Sequence, residues 1–156
     1  MTRYLTLAEY FWLAEQVTGT EAAVLAKVAR AELADSALHA PAAGLGDQDF
    51  YPDVVDKAAV LTCRLAWNHP LPDGNKRAAW AALVMFVNLN GGTWDPDPPN
   101  VDDAEAAMLA VAAHEVDEAW LGEWLRERPA VPDALVGRTA AAAPRRAPFP
   151  TRPDDA

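Results

Sequence analysis

A chain of 156 residues with 51% hydrophobic content and a formal net charge of −10 is sized for one domain around one core. Its acidity argues against general nucleic-acid binding, because a phosphate backbone would repel it, and its longest apolar run, Ala78 to Val87, is about half of what a membrane-spanning helix needs. With Cys63 as the sole cysteine and no apolar secretory core after Met1-Thr2-Arg3-Tyr4, the sequence is that expected of a cytoplasmic protein without disulfides.

The elements predicted along the chain are all helical. Thr6-Leu7-Ala8-Glu9 matches a capping box, and Leu7, Tyr10, Phe11, Ala14 and Val17 share one face of a first helix that ends near Gly19. A second helix starts around Thr20 with Leu25, Val28 and Ala29. A third covers Leu33 to Leu38 and is stopped by Pro41. Ala42 to Phe50, with Gly44, Gly46, Asp47 and Asp49, reads as a loop. The next helix opens at Tyr51-Pro52-Asp53, with Pro in its first turn and Asp56 just inside. It ends near Asn68, because a residue before Pro70 avoids helical geometry.

After a short loop, Asn75 is expected to cap a helix reaching about Asn90. Ala78, Ala79, Trp80, Leu83, Val84, Phe86 and Val87 make it apolar nearly all round, which predicts a central, buried helix closed by Gly91-Gly92. Thr93 to Asn100 reads as irregular. Val101 to His114 forms a helix with Ala104, Met108 and Val111 inward, and Asp117 caps a last one with a stripe of Trp120, Leu121, Trp124 and Leu125. The domain is therefore expected over residues 1–128. From Pro129 to Ala156 the chain turns Pro-, Ala- and Arg-rich without apolar periodicity, the composition of a disordered tail.

The densest chemistry lies in His69-Pro70-Leu71-Pro72-Asp73-Gly74-Asn75-Lys76-Arg77. Each residue has an ordinary explanation by itself: His69 a helix end, Asp73-Gly74 a turn, Asn75 a cap. Lys76 and Arg77 are harder to explain, since cations at a helix start oppose its dipole. A bound anion would relieve that. Free N–H groups at the helix start, two cations, an imidazole that titrates near neutral pH and a carboxylate suited to a hard cation together suggest phosphoryl or nucleotidyl transfer.

This stretch resembles the signature of the Fic/Doc (Fido) family, H-x-F-x-(D/E)-(G/A)-N-x-R. Ser36-Ala37-Leu38, Tyr51-Pro52, Lys57-Ala58-Ala59 and Asn88-Leu89-Asn90-Gly91 look like the flanking pattern of its Doc-like chains, so that the likeness covers about residues 4 to 127. A glycine after the Asn is typical of members that move AMP from ATP to a protein hydroxyl. A lysine, as in Lys76, is typical of the Doc (death-on-curing) toxin branch, whose eponymous member phosphorylates a threonine of elongation factor Tu. The resemblance thus implies an all-α Fido-type bundle and a toxin kinase that uses ATP and Mg2+. It further implies a Thr or Ser acceptor, with elongation factor Tu as the inherited guess, and restraint by a small antitoxin of Phd type. The alternatives are an AMP transferase and a non-catalytic protein that kept the fold.

Residue roles follow from the same likeness. His69 would be the general base, Asp73 the Mg2+ ligand, Gly74 the close approach to phosphate, Asn75 part of the anion cradle and Arg77 the phosphate clamp. Lys76 would alter how ATP lies, so that the γ-phosphate is attacked. Leu71 departs from the family Phe, and weaker packing with retained geometry is expected there. Gly44 to Phe50 is either a flap for a target segment or a plain connector. No Glu is followed by Gly or Asn, so the inhibitory helix of many Fic proteins is not expected. The chain lacks GxxxxGK(S/T), and His114-Glu115-Val116-Asp117-Glu118 lacks the second His of HExxH and reads as a helix boundary.

Overall fold

The computed structural model describes residues 1–92 and 99–128. Among them the chain forms seven α-helices: α1 (Leu7–Thr18), α2 (Ala22–Val28), α3 (Ala31–His39), α4 (Val54–Asn68), α5 (Asn75–Leu89), α6 (Val101–Ala112) and α7 (Glu118–Arg126). The architecture is the expected helical bundle. The expectation for residues 129–156 lies outside the described residues.

Local chemistry sets most boundaries. The Thr6 hydroxyl accepts from the Glu9 N–H and the Glu9 carboxylate accepts from the Thr6 N–H, so the capping box is complete, and Gly19 closes α1 at φ 75. Asp53 caps α4 by accepting from the Asp56 N–H at 2.9 Å. Pro52 therefore precedes the cap and stands outside the first turn where it was expected. Asp117 caps α7 through the Trp120 N–H at 2.8 Å, and His114 falls between α6 and α7, as the broken HExxH pattern implied.

The most enclosed helix is α4, one element earlier than the apolar pattern suggested. Ten of its residues are buried, against six in α5, and it packs against α3, α5, α6 and α7. Trp80, Ala81, Val84 and Met85 leave one side of α5 only half-buried. The Trp67 indole donates to the Val111 carbonyl at 2.7 Å and ties α4 to α6. Arg126 ties α7 to the start of α4 by donating to Asp53 and Asp56 at 2.8–3.1 Å.

The stretch read as a loop holds a small antiparallel hairpin, β1 (Gly44–Leu45) and β2 (Gln48–Asp49), in the register Gly44 to Asp49 and Leu45 to Gln48. Two residues per strand are too few to give a period-2 signal, which is why the pattern missed it. A Cβ at Gly44 would lie 2.5 Å from the Gln48 carbonyl oxygen, so this ladder requires glycine there. The hairpin base is held by Lys57 of α4, 1% exposed, whose ammonium donates to the Pro41 carbonyl and to Asp49, each at 3.0 Å.

Candidate active site

Of the six residues singled out in the sequence, His69, Asp73 and Gly74 lie on the connection between α4 and α5, and Asn75, Lys76 and Arg77 form the first turn of α5. His69 terminates α4 at φ 48 and ψ 56, a left-handed conformation that costs a residue with a Cβ about 1–2 kcal/mol. Its side chain is exposed, and its imidazole makes no hydrogen bond to a described residue. Pro70 and Leu71 then turn into the core and are buried, Leu71 to 4% exposure, which anchors the loop from beneath.

Asn75 is where the structure departs from the expected geometry. It is the first helical residue of α5, and Gly74 takes the cap position without a side-chain bond. The Asn75 amide turns back: its Oδ1 accepts from the Leu71 N–H and its Nδ2 donates to the Leu71 carbonyl, both at 2.9 Å. Asn75 therefore shapes the loop with its side chain, and its backbone N–H and the second hydrogen of Nδ2 are left to offer an anion. The N–H groups of Asn75, Lys76 and Arg77 precede the first backbone bond of α5, from Ala78 to the Gly74 carbonyl, and make no backbone bond among the described residues.

Gly74 is demanded twice. Its φ is +76, and a Cβ there would lie 2.7 Å from the Thr18 methyl and 3.3 Å from an Arg77 nitrogen. The loop thus rests against the end of α1. Arg77 completes that contact by donating from Nη1 to the Val17 carbonyl at 2.9 Å, while its Nη2 lies 3.7 Å from Asp73 Oδ2. The end of one helix and a carboxylate thereby relieve part of the charge misplacement that had pointed to an anion. The Arg77 side chain stays 60% exposed, so its fork is still accessible. Lys76 is exposed and has no ion-pair partner among the described residues, so it remains the residue for which an anion is the natural complement.

The Asp73 side chain is 93% exposed. No group of three or more His, Cys, Asp or Glu side chains among the described residues could by itself cage a metal. A lone accessible carboxylate fits Mg2+, which usually takes one or two carboxylates and completes its shell with water and substrate phosphates.

Lys76 and Arg77 also border a cavity of about 710 Å³ whose walls are Trp80 and Ala81 of α5, Val101, Ala104, Met108 and Leu109 of α6, Val17 and Pro99, with Glu105 also lining it. His69, Asp73 and Gly74 are not part of that lining. The Lys57 anchor of the hairpin stands twelve residues before His69 on α4, about 18 Å along the axis at 1.5 Å per residue. Sequence reasoning passed over Arg30. Its Nη2 donates to the His69 carbonyl at 2.6 Å and its backbone N–H to the Pro70 carbonyl at 2.8 Å. A contact across 39 residues leaves no local signal.

The sequence model of the Fic/DOC family matches residues 4–87, which include the whole loop from His69 to Arg77. The chain belongs to the Fic/DOC family. A Fic/DOC relative, the protein "Toxin Doc" of Mycolicibacterium smegmatis (strain ATCC 700084 / mc(2)155), is 40% identical over 117 residues, which is 75% of this chain and 86% of the relative. No solved structure matches the chain. The Fic/DOC match spans α1 to α5, the elements that build and brace the loop. None of the described helices is long and apolar enough to cross a membrane.

Proposed function

We propose that this chain is a Doc-like toxin of a toxin–antitoxin pair that transfers the γ-phosphate of ATP to a Thr or Ser hydroxyl of a target protein. The observation that carries this reading is Lys76. It follows Asn75 where AMP-transferring members place glycine, and it stands exposed at the start of α5 with no partner of its own among the described residues. The likeness to a protein named Toxin Doc supports the same reading.

In this reading His69 takes the proton from the acceptor hydroxyl, the hydroxyl oxygen bonds to the γ-phosphorus, and the bond to the bridging oxygen breaks to leave ADP. The free N–H groups of α5, Lys76 and Arg77 hold the phosphates and oppose their charge. Gly74 keeps the loop open enough for the backbone to approach them. When Mg2+ is bound, Asp73 and phosphate oxygens would hold it, and it would offset charge on those oxygens. Elongation factor Tu is the target suggested by family resemblance. The partner is a small antitoxin of Phd type, for which the apolar cavity between α5 and α6 offers a groove suited to an amphipathic segment. The setting is the cytoplasm.

The test is incubation of the protein with a bacterial lysate and ATP labelled at either the γ or the α position. Label from γ-ATP in a protein band, with none from α-ATP and none with His69→Ala, supports the kinase. Label from α-ATP refutes it in favour of AMP transfer. Labelling unchanged by His69→Ala removes the catalytic role assigned to that residue.

A further inference from the structure

Among the described residues, helix α4 ends without the bond that closes the other six helices. In each of those, the N–H of the residue just past the last turn donates to a carbonyl of its own helix, as from Gly19 to Glu15 and from Ala29 to Leu25. His69 holds that position in α4, and its N–H makes no backbone bond among the described residues. The next residue, Pro70, has no N–H with which to complete a left-handed cap. A strained histidine therefore sits at a helix end that its own backbone does not secure.

The joint between α2 and α3 secures it from outside. The Arg30 guanidinium reaches the His69 carbonyl at 2.6 Å, the Arg30 N–H reaches the Pro70 carbonyl at 2.8 Å, and the Asn68 amide donates to the Leu33 carbonyl at 3.0 Å. These contacts bracket His69 on both sides, and Arg30 makes two of the three. A cation at a helix C-terminus is also favoured by the helix dipole. We propose that Arg30 is a positioning residue for His69: its guanidinium replaces the missing cap and fixes the direction in which the His69 side chain leaves the backbone. The bond goes to the main chain and leaves the imidazole free for proton transfer. The inference rests on the reading of His69 as the general base.

Arg30 is exposed, so its replacement removes no core packing. Arg30→Met keeps the backbone bond to Pro70 and deletes only the side-chain donor. With γ-labelled ATP and a fixed amount of lysate, Arg30→Met is expected to lower the plateau rate of labelling roughly tenfold or more, the scale of a misplaced catalytic group. The apparent KM for ATP should stay within about twofold, because on this reading Arg30 does not touch the phosphates. Arg30→Lys, which keeps a cationic donor of similar reach, should recover most of the rate. The 15N heteronuclear NOE of the His69 amide should fall in Arg30→Met and recover in Arg30→Lys, with the thermal midpoints of all three proteins close together.

Normal labelling by Arg30→Met, with His69→Ala inactive, overturns the proposal. So does a rise in KM at constant plateau, or an unchanged NOE at His69. If Arg30→Met proves poorly folded, the recovery or failure of Arg30→Lys decides the matter. If His69→Ala labels as well as the parent protein, the catalytic reading falls, while the NOE still decides whether Arg30 holds that residue.

Discussion

The Asn75 side chain clasps the Leu71 peptide at both ends, taking its N–H and supplying its carbonyl at 2.9 Å each. The clasp closes the loop from Leu71 to Asn75 into a ring, with Leu71 buried below and the Gly74 turn above. One amide thus fixes the shape of the loop that carries Asp73 and delivers the first N–H groups of α5.

Asn75→Ala should open that ring. Two half-buried backbone groups lose their partners, and the loss should be about 1–3 kcal/mol in urea denaturation. Asn75→Asp retains the acceptor for the Leu71 N–H and adds a charge favoured at a helix start, so it should lie between Ala and the parent protein. Equal stability of Asn75→Ala and the parent would mean that the clasp contributes nothing.

Gly74→Ala should be worse than an ordinary surface change. The added methyl would meet Thr18 at 2.7 Å while forcing an L-residue to φ +76. A loss of about 1–3 kcal/mol is expected. Thr18→Ser in the same chain should return part of it, because it removes the methyl that collides and leaves the backbone strain. Thermal denaturation of the single and double variants reads both terms separately.

Lys57→Met should free the hairpin and leave the helices in place. It strips the Pro41 carbonyl of its partner and removes the tether to Asp49. The amides of Gly44 to Phe50 should exchange with deuterium at least about tenfold faster, equivalent to roughly 1.4 kcal/mol of local stability. Unaltered exchange there would show that another contact holds the hairpin.

Cys63 supplies a pH test of the core. Burial, followed by the charges of Glu118 and Asp117, pushes its thiol up to about 12. The thiol stays protonated in the fold while an unfolded thiol ionises near about 8.5. A group raised on folding contributes stability that is intact below the unfolded value and drains away as pH climbs toward the folded one. The unfolding free energy from urea titrations should therefore fall between about pH 8.5 and 12, by up to about 1.4 kcal/mol per pH unit from this group. Cys63→Ala should flatten that fall. Iodoacetamide at pH 8 should leave the native thiol unmodified and react once the protein is unfolded.

The parts of this fold that could be read in the sequence are those decided within a few residues. The Thr6–Glu9 box, the Asp117 cap, the Gly19 stop and the inward stripes of α6 and α7 all depend on neighbours three or four positions apart. Asn75 was legible as a residue with a local bond to make, but not in which direction. Forward capping and a backward clasp use the same side chain, and the left-handed turn at Gly74 decides between them. The centre of the bundle was misplaced by one helix because uniform apolarity marks what is capable of burial, whereas enclosure depends on how many neighbours arrive. Nothing within a few residues of Lys57 indicates that its ammonium is buried, because its partners, Asp49 and the Pro41 carbonyl, come from the hairpin and the turn before it. Around the candidate site, the closeness of these residues to one another was legible and what braces them was not. The six residues fall between His69 and Arg77 by sequence alone, while Arg30, Val17 and Thr18 reach that stretch from far upstream.

That upstream bracing sets a lower bound on the usable fragment. A peptide that began at α4 would contain every residue from His69 to Arg77, yet Thr18, the Val17 carbonyl and Arg30 would be gone. Grafting the nine residues onto another helical hairpin would meet the same obstacle. The signature is portable as text, but its shape is a property of the first thirty residues as much as of its own.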